Sequence, residues 1–148
     1  MKGVVHAGLL QKLNALPFYK IKPPKSLGRE WVENKFFPVL NSFNISTRDK
    51  LRTVVEHVAI QITLAVNDQT NSKVLVTGGG AYNKFLLERI SFHTKTKISL
   101  PDDKAIQFKE AMAFAFLGVL KMRGEINILK SVTGAKRDSS GGRICFPA

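Results

Sequence analysis

A short apolar run, Val74-Leu75-Val76, meets three consecutive glycines, Gly78-Gly79-Gly80, and then a segment carrying Phe85, Leu86 and Ile90 on one helical face. A continuous apolar strand of this kind is covered on both sides, as in a parallel sheet packed by helices. Glycines at the strand's carboxyl end let a ligand come close to the backbone, and the N–H groups opening the next helix favour an anion. Two readings stay open at this point: a plain tight turn, and a nucleotide or phosphate site. The turn is not a P-loop, because no Gly-Lys-Ser/Thr follows. Asn83 stands where the dinucleotide fingerprint has its third glycine, although Asp102 lies near the place of a ribose-binding acid.

The flanking segments extend the same α/β pattern. Gly8 to Leu16 places Leu9, Leu10, Leu13 and Leu16 at helical spacing, with no strand or cap before it and Pro17 to stop it. Pro17 to Arg29 reads as an irregular basic loop, and a short helix follows through Trp31. Ser46 with Asp49 resembles a capping box, and Leu51, Val54, Val55, Val58, Ala59 and Ile62 predict a long amphipathic helix to about Asn67. Lys95 to Leu100 alternates as a second strand. Gln107 to Met122 is apolar almost all round, which predicts a buried helix with Glu110 near its start. Ala111, Ala115 and Gly118 would form a seam for close backbone approach. The tail from Ser131 to Gly142 is turn-rich. Helix and strand alternate with a parallel sheet, yet two strands are few for a complete α/β domain, so a missing partner half is expected.

A chain of 148 residues predicts one domain with a core that needs no disulfide or metal, and Cys145 stands alone. The lone cysteine, the absence of a bilayer-length apolar run and the lack of a secretory segment predict a soluble, cytoplasmic protein with no membrane partner. Lys and Arg number 23 against 11 Asp and Glu, a net charge of +12 that favours a polyanionic partner. A basic nucleic-acid-binding module is the competing class. The charge is spread along the chain, and no helix–turn–helix, RNA-recognition or finger signature appears. His6, His57 and His93 lack ligand spacing, and no nucleophilic triad can be assembled. Glu110 reads either as a carboxylate complementing a helix N-terminus or as an acceptor facing a polar ligand.

Four segments in order resemble the motifs of the anhydro-N-acetylmuramic acid kinase family. They are Pro23-Pro24-Lys25-Ser26-Leu27-Gly28-Arg29-Glu30, Val76-Thr77-Gly78-Gly79-Gly80-Ala81-Tyr82-Asn83, Glu110-Ala111-Met112-Ala113-Phe114-Ala115 and Val132-Thr133-Gly134-Ala135. Leu27 departs from the family's more usual Thr. The resemblance is to the C-terminal part of a cell-wall recycling sugar kinase, and it implies part of a ribonuclease H-like lobe of the actin-like ATPase superfamily. It further implies that residues 1–148 form a single C-terminal lobe without the N-terminal lobe. ATP, magnesium and 1,6-anhydro-N-acetylmuramic acid are the expected ligands, with a companion N-terminal chain as a candidate partner. By the same resemblance Gly78, Gly79, Gly80 and Asn83 lie on the nucleotide side and Glu110 on the sugar side, with no catalytic residue assigned. Lys25, Ser26, Arg29 and Thr133 match motif positions without an assigned role.

Overall fold

The computed structural model describes residues 3–66 and 73–145. It divides into two compact units: Met1–Ile21 with Ser26–Pro101, and Lys22–Lys25 with Asp102–Ala148.

The first unit is built around α1 (Ala7–Asn14), α2 (Arg29–Trp31), α3 (Phe37–Asn41) and α4 (Thr47–Val66). The leucine spacing works as expected: Leu9, Leu13 and Leu16 are buried, and Tyr19, Trp31, Phe36, Val39, Leu40 and Val54 pack around them. Each such leucine contributes about 1.5–3 kcal/mol by leaving water. A cap does precede α1, contrary to expectation. His6 Nδ1 accepts from Leu9 N at 3.1 Å, so an imidazole does the work of the usual Ser, Thr, Asp or Asn. Ser46 Oγ accepts from Asp49 N at 3.2 Å at the start of α4. The Asp49 carboxylate then reaches Val4 N at 2.7 Å, which ties the first residues to this helix. The hydrogen bond from Val4 N, with a second that Ser46 Oγ donates to Asp49 Oδ2 at 2.7 Å, holds the Asp49 carboxyl below its ordinary value.

Strands β1 (Lys73–Leu75) and β2 (Lys97–Ser99) pair in parallel, with Val74 opposite Ile98. Between them run a 3₁₀ turn (Gly79–Tyr82) and α5 (Lys84–His93), the order expected of a crossover. The polar turn expected between Asn67 and Lys73 lies mostly outside the described residues.

In the second unit, α6 (Asp103–Met122) is a 20-residue helix, followed by α7 (Lys130–Thr133). The expectation of a buried helix fails here: no residue of α6 is buried. An apolar helix must be surrounded, and among its residues only Ala105, Ile106, Leu117, Leu120 and Lys121 are even half-buried. The small-residue seam is open as well, since a Cβ on Gly118 would meet nothing within 4 Å. Asp102, considered as a ribose-binding acid, caps this helix by accepting from Ala105 N at 2.8 Å.

Candidate functional site

The glycine turn is set by backbone chemistry at each end. Val76 N donates to Ser99 O at 3.0 Å and carries the ladder one residue past β1. Gly78 then takes φ 72, a left-handed conformation that favours glycine, and Ala81 N closes the turn on Gly78 O at 3.0 Å. Ala81 is buried and anchors the turn, while Gly79 and Gly80 are exposed. Neither has a positive φ, and a Cβ on either would meet nothing within 4 Å. Nothing in the chain's own packing therefore requires glycine at these two positions.

Asn83 ends the turn and opens α5. Its Oδ1 accepts from Leu86 N at 3.0 Å, and its carbonyl accepts from Leu87 N at 3.1 Å. Sequence reasoning placed Asn83 on the nucleotide side, and within the chain it is a helix cap. The turn runs directly into this helix start, so the positive end of the α5 dipole follows the glycines in the chain.

The helix that follows the turn is held by a charged cluster that the sequence reading did not single out. Glu56, on α4, is 6% exposed. It accepts from Arg52 Nη1 at 2.6 Å, from Arg89 Nε at 2.8 Å and from His93 Nε2 at 2.6 Å. Arg89 and His93 belong to α5, so Glu56 fastens α5 to α4. The Arg89 hydrogen bond is the largest influence holding the Glu56 carboxyl at about 2 against 4.5, over the opposing effect of burial. Arg52 four residues before Glu56 was the signal available in the sequence.

His57 beside it is 1% exposed, and burial lowers it to about 4. Asn14 Oδ1 accepts from Gln61 Nε2 at 2.9 Å and lies 2.6 Å from His57 Nδ1, so Nδ1 donates to it. Nε2 is left to accept from Tyr19 OH at 2.8 Å. The histidine is a neutral, satisfied core residue that joins α4 to α1, in keeping with its plain reading. Tyr19, Trp31, Phe36, His57 and Gln61 line an apolar cavity of about 250 Å³ in this unit.

Glu110 belongs to the second unit, whereas the glycine turn belongs to the first. It lies seven residues past the start of α6 at Asp103, so the helix-opening role considered for it does not apply. Its carboxylate is exposed and forms no ion pair among the described residues. Arg29 pairs with Glu33 at 2.7 Å on the surface. Thr133 Oγ1 donates to Leu129 O at 2.9 Å. Gly134, left-handed at φ 72, ends α7, and a Cβ there would lie 3.5 Å from Pro24 Cγ. Two of the four motif segments thus meet within the second unit. Among the described residues no three His, Cys, Asp or Glu side chains lie together to hold a metal. No helix among them is long and apolar enough to cross a membrane.

The family model for anhydro-N-acetylmuramic acid kinase matches residues 1–147. The chain belongs to the anhydro-N-acetylmuramic acid kinase family. Curated relatives of that name include one from Hahella chejuensis, 34% identical over 99% of this chain and 41% of its own length. Another, from Mannheimia succiniciproducens, is 36% identical over 98% of this chain and 42% of its own. The relative from Psychrobacter cryohalolentis is 34% identical, with 97% of this chain matched to 37% of its length. The chain therefore spans about two fifths of the length of these kinases. The competing class, a nucleic-acid-binding module, finds no support among these relatives.

Proposed function

We propose that this chain is the nucleotide- and sugar-contacting C-terminal part of an ATP-dependent anhydro-N-acetylmuramic acid kinase. The reaction is opening of the 1,6-anhydro ring by water coupled to transfer of the γ-phosphoryl group, giving the 6-phosphate and ADP. The fold assignment that goes with it is part of a ribonuclease H-like lobe of the actin-like ATPase superfamily.

The observation that carries the reading is the open ground at Gly79 and Gly80. Glycine there serves no conformational need of this chain, whereas a ligand lying on the backbone would need the missing side chains. The N-terminus of α5, capped by Asn83, supplies partial positive charge beside it for a phosphate. The fit to ATP is thus good on this side. Magnesium has no cluster of ligands among the described residues. Glu110, exposed on α6, is assigned the sugar, where a carboxylate accepts hydroxyl hydrogen bonds.

Phosphoryl transfer is mostly positioning and electrostatic stabilisation, so the 148-residue chain by itself should bind but not turn over. The deciding experiment is Gly79→Val, followed by nucleotide titration and melting. Space at that Cβ predicts unchanged stability with adenine-nucleotide affinity lowered at least tenfold, in this chain or in a reassembled enzyme. Equal affinity in the folded variant would refute a nucleotide role for the turn.

A further inference from the structure

We infer that the open face of α6 is a docking surface for the remainder of the kinase polypeptide, the part of the relatives' length that this chain does not match. The inference rests on the kinase reading and adds to it the surface on which the rest of the polypeptide would lie. Phe108, Met112, Phe116 and Val119 recur at intervals of four, four and three, so they form one stripe along the helix. They are exposed by 59, 60, 63 and 54% respectively. Ala111 and Ala115 run beside them, exposed, and Gly118 continues the row at the edge of a groove it shares with Leu117, Asn127 and Ile128 of its own unit, with room for a Cβ. Ile106, Leu117 and Leu120 turn the opposite side of the helix toward its own unit. A continuous stripe of large apolar side chains is an interaction surface, unlike the single exposed apolar residues common on any protein. A helix apolar on both sides is built to lie between two layers, and one is present.

Three occupants compete, and two are disfavoured. A bilayer-spanning role is a poor fit, because α6 is not long and apolar enough to cross a membrane. A second copy would bring together two chains each of net charge +12, which repel. The remaining kinase sequence is the occupant with independent support. The matched relatives are 41, 37 and 42% covered, so more than half of the family's polypeptide lies outside this chain. Whether that polypeptide is joined to this one or separate, the surface it needs is the same.

The test is co-expression of the 148-residue chain with the part of the Hahella chejuensis relative outside the matched segment, followed by purification and sedimentation velocity. A one-to-one complex is expected. Met112→Asp combined with Phe116→Asp should weaken it at least 100-fold while leaving melting of the lone chain unchanged, because both side chains are already in water. Gly118→Leu should also weaken it, by closing the seam, with no loss in the lone chain. Absence of a complex, equally tight binding by the charged variant, or an α6-dependent dimer of the chain alone would each overturn the inference. Phosphoryl transfer from ATP is read separately. A complex that forms through α6 without transfer upholds the docking surface and defeats the kinase reading.

Discussion

Replacing Glu56 by Gln keeps the shape of the side chain and removes the charge on which two arginines and a histidine converge. A carboxyl held at about 2 rather than 4.5 is worth about 3 kcal/mol of stability at neutral pH. The sign follows from the lowered value. Below 4.5 the unfolded chain takes up a proton that the folded carboxylate refuses, so the contribution is complete above 4.5 and disappears as pH falls toward 2. Glu56→Gln should therefore cost about 3 kcal/mol at pH 7, approaching the 3–5 kcal/mol typical when one partner of a buried pair is removed. The two proteins should converge in stability near pH 2. Trp31 is the sole tryptophan and lies in the same unit as Glu56, so its fluorescence during urea unfolding reports that unit directly. Repulsion within a chain of net charge +12 also grows in acid, but it is common to both proteins and cancels in the difference. A loss below about 1 kcal/mol at pH 7, or stability curves that run parallel from pH 5 to pH 2, would refute the assignment of Glu56 as the charged link between α4 and α5.

His57 gives a second acid window: a buried neutral imidazole at about 4 against 6.5 contributes fully above 6.5 and is lost as pH falls through 4, so Glu56→Gln should retain that part of the decline. Histidine proton resonances should show His57 still neutral at pH 5. Asn83→Ala should destabilise by about 1 kcal/mol through the lost cap. Asn83→Asp keeps an accepting oxygen for Leu86 N but sets a negative charge where a phosphate is proposed. It should hold its melting temperature and lose nucleotide affinity, and unchanged affinity would move the phosphate elsewhere. Glu110→Gln should leave stability unaltered, since the residue is exposed in mid-helix, and lower sugar affinity or turnover of a reassembled enzyme about tenfold with ATP affinity intact. A variant with normal sugar kinetics would remove Glu110 from the site.

Local order was legible because its causes are local. The leucines of α1, the Ser46 and Asp49 pair opening α4, and the strand, glycine turn and helix around Gly78 act within a few residues of themselves, where spacing and side-chain type decide the outcome. The four motif segments were likewise readable as linear sequence, and through them the family. What they left undecided is what lies far apart along the chain. Glu56 meets Arg89 and His93 across 33 and 37 residues, and His57 meets Asn14 across 43. No periodicity encodes such pairings. They follow from α5 and α1 packing on α4: the Arg89 hydrogen bond, with those of Arg52 and His93, lowers the Glu56 carboxyl against the effect of burial, while burial itself lowers the His57 imidazole. The same limit explains α6. Apolar residues all round its circumference state that the helix must be enclosed, but composition cannot say by what. Only the tertiary structure shows that its own unit covers one side and leaves Phe108, Met112, Phe116 and Val119 in water.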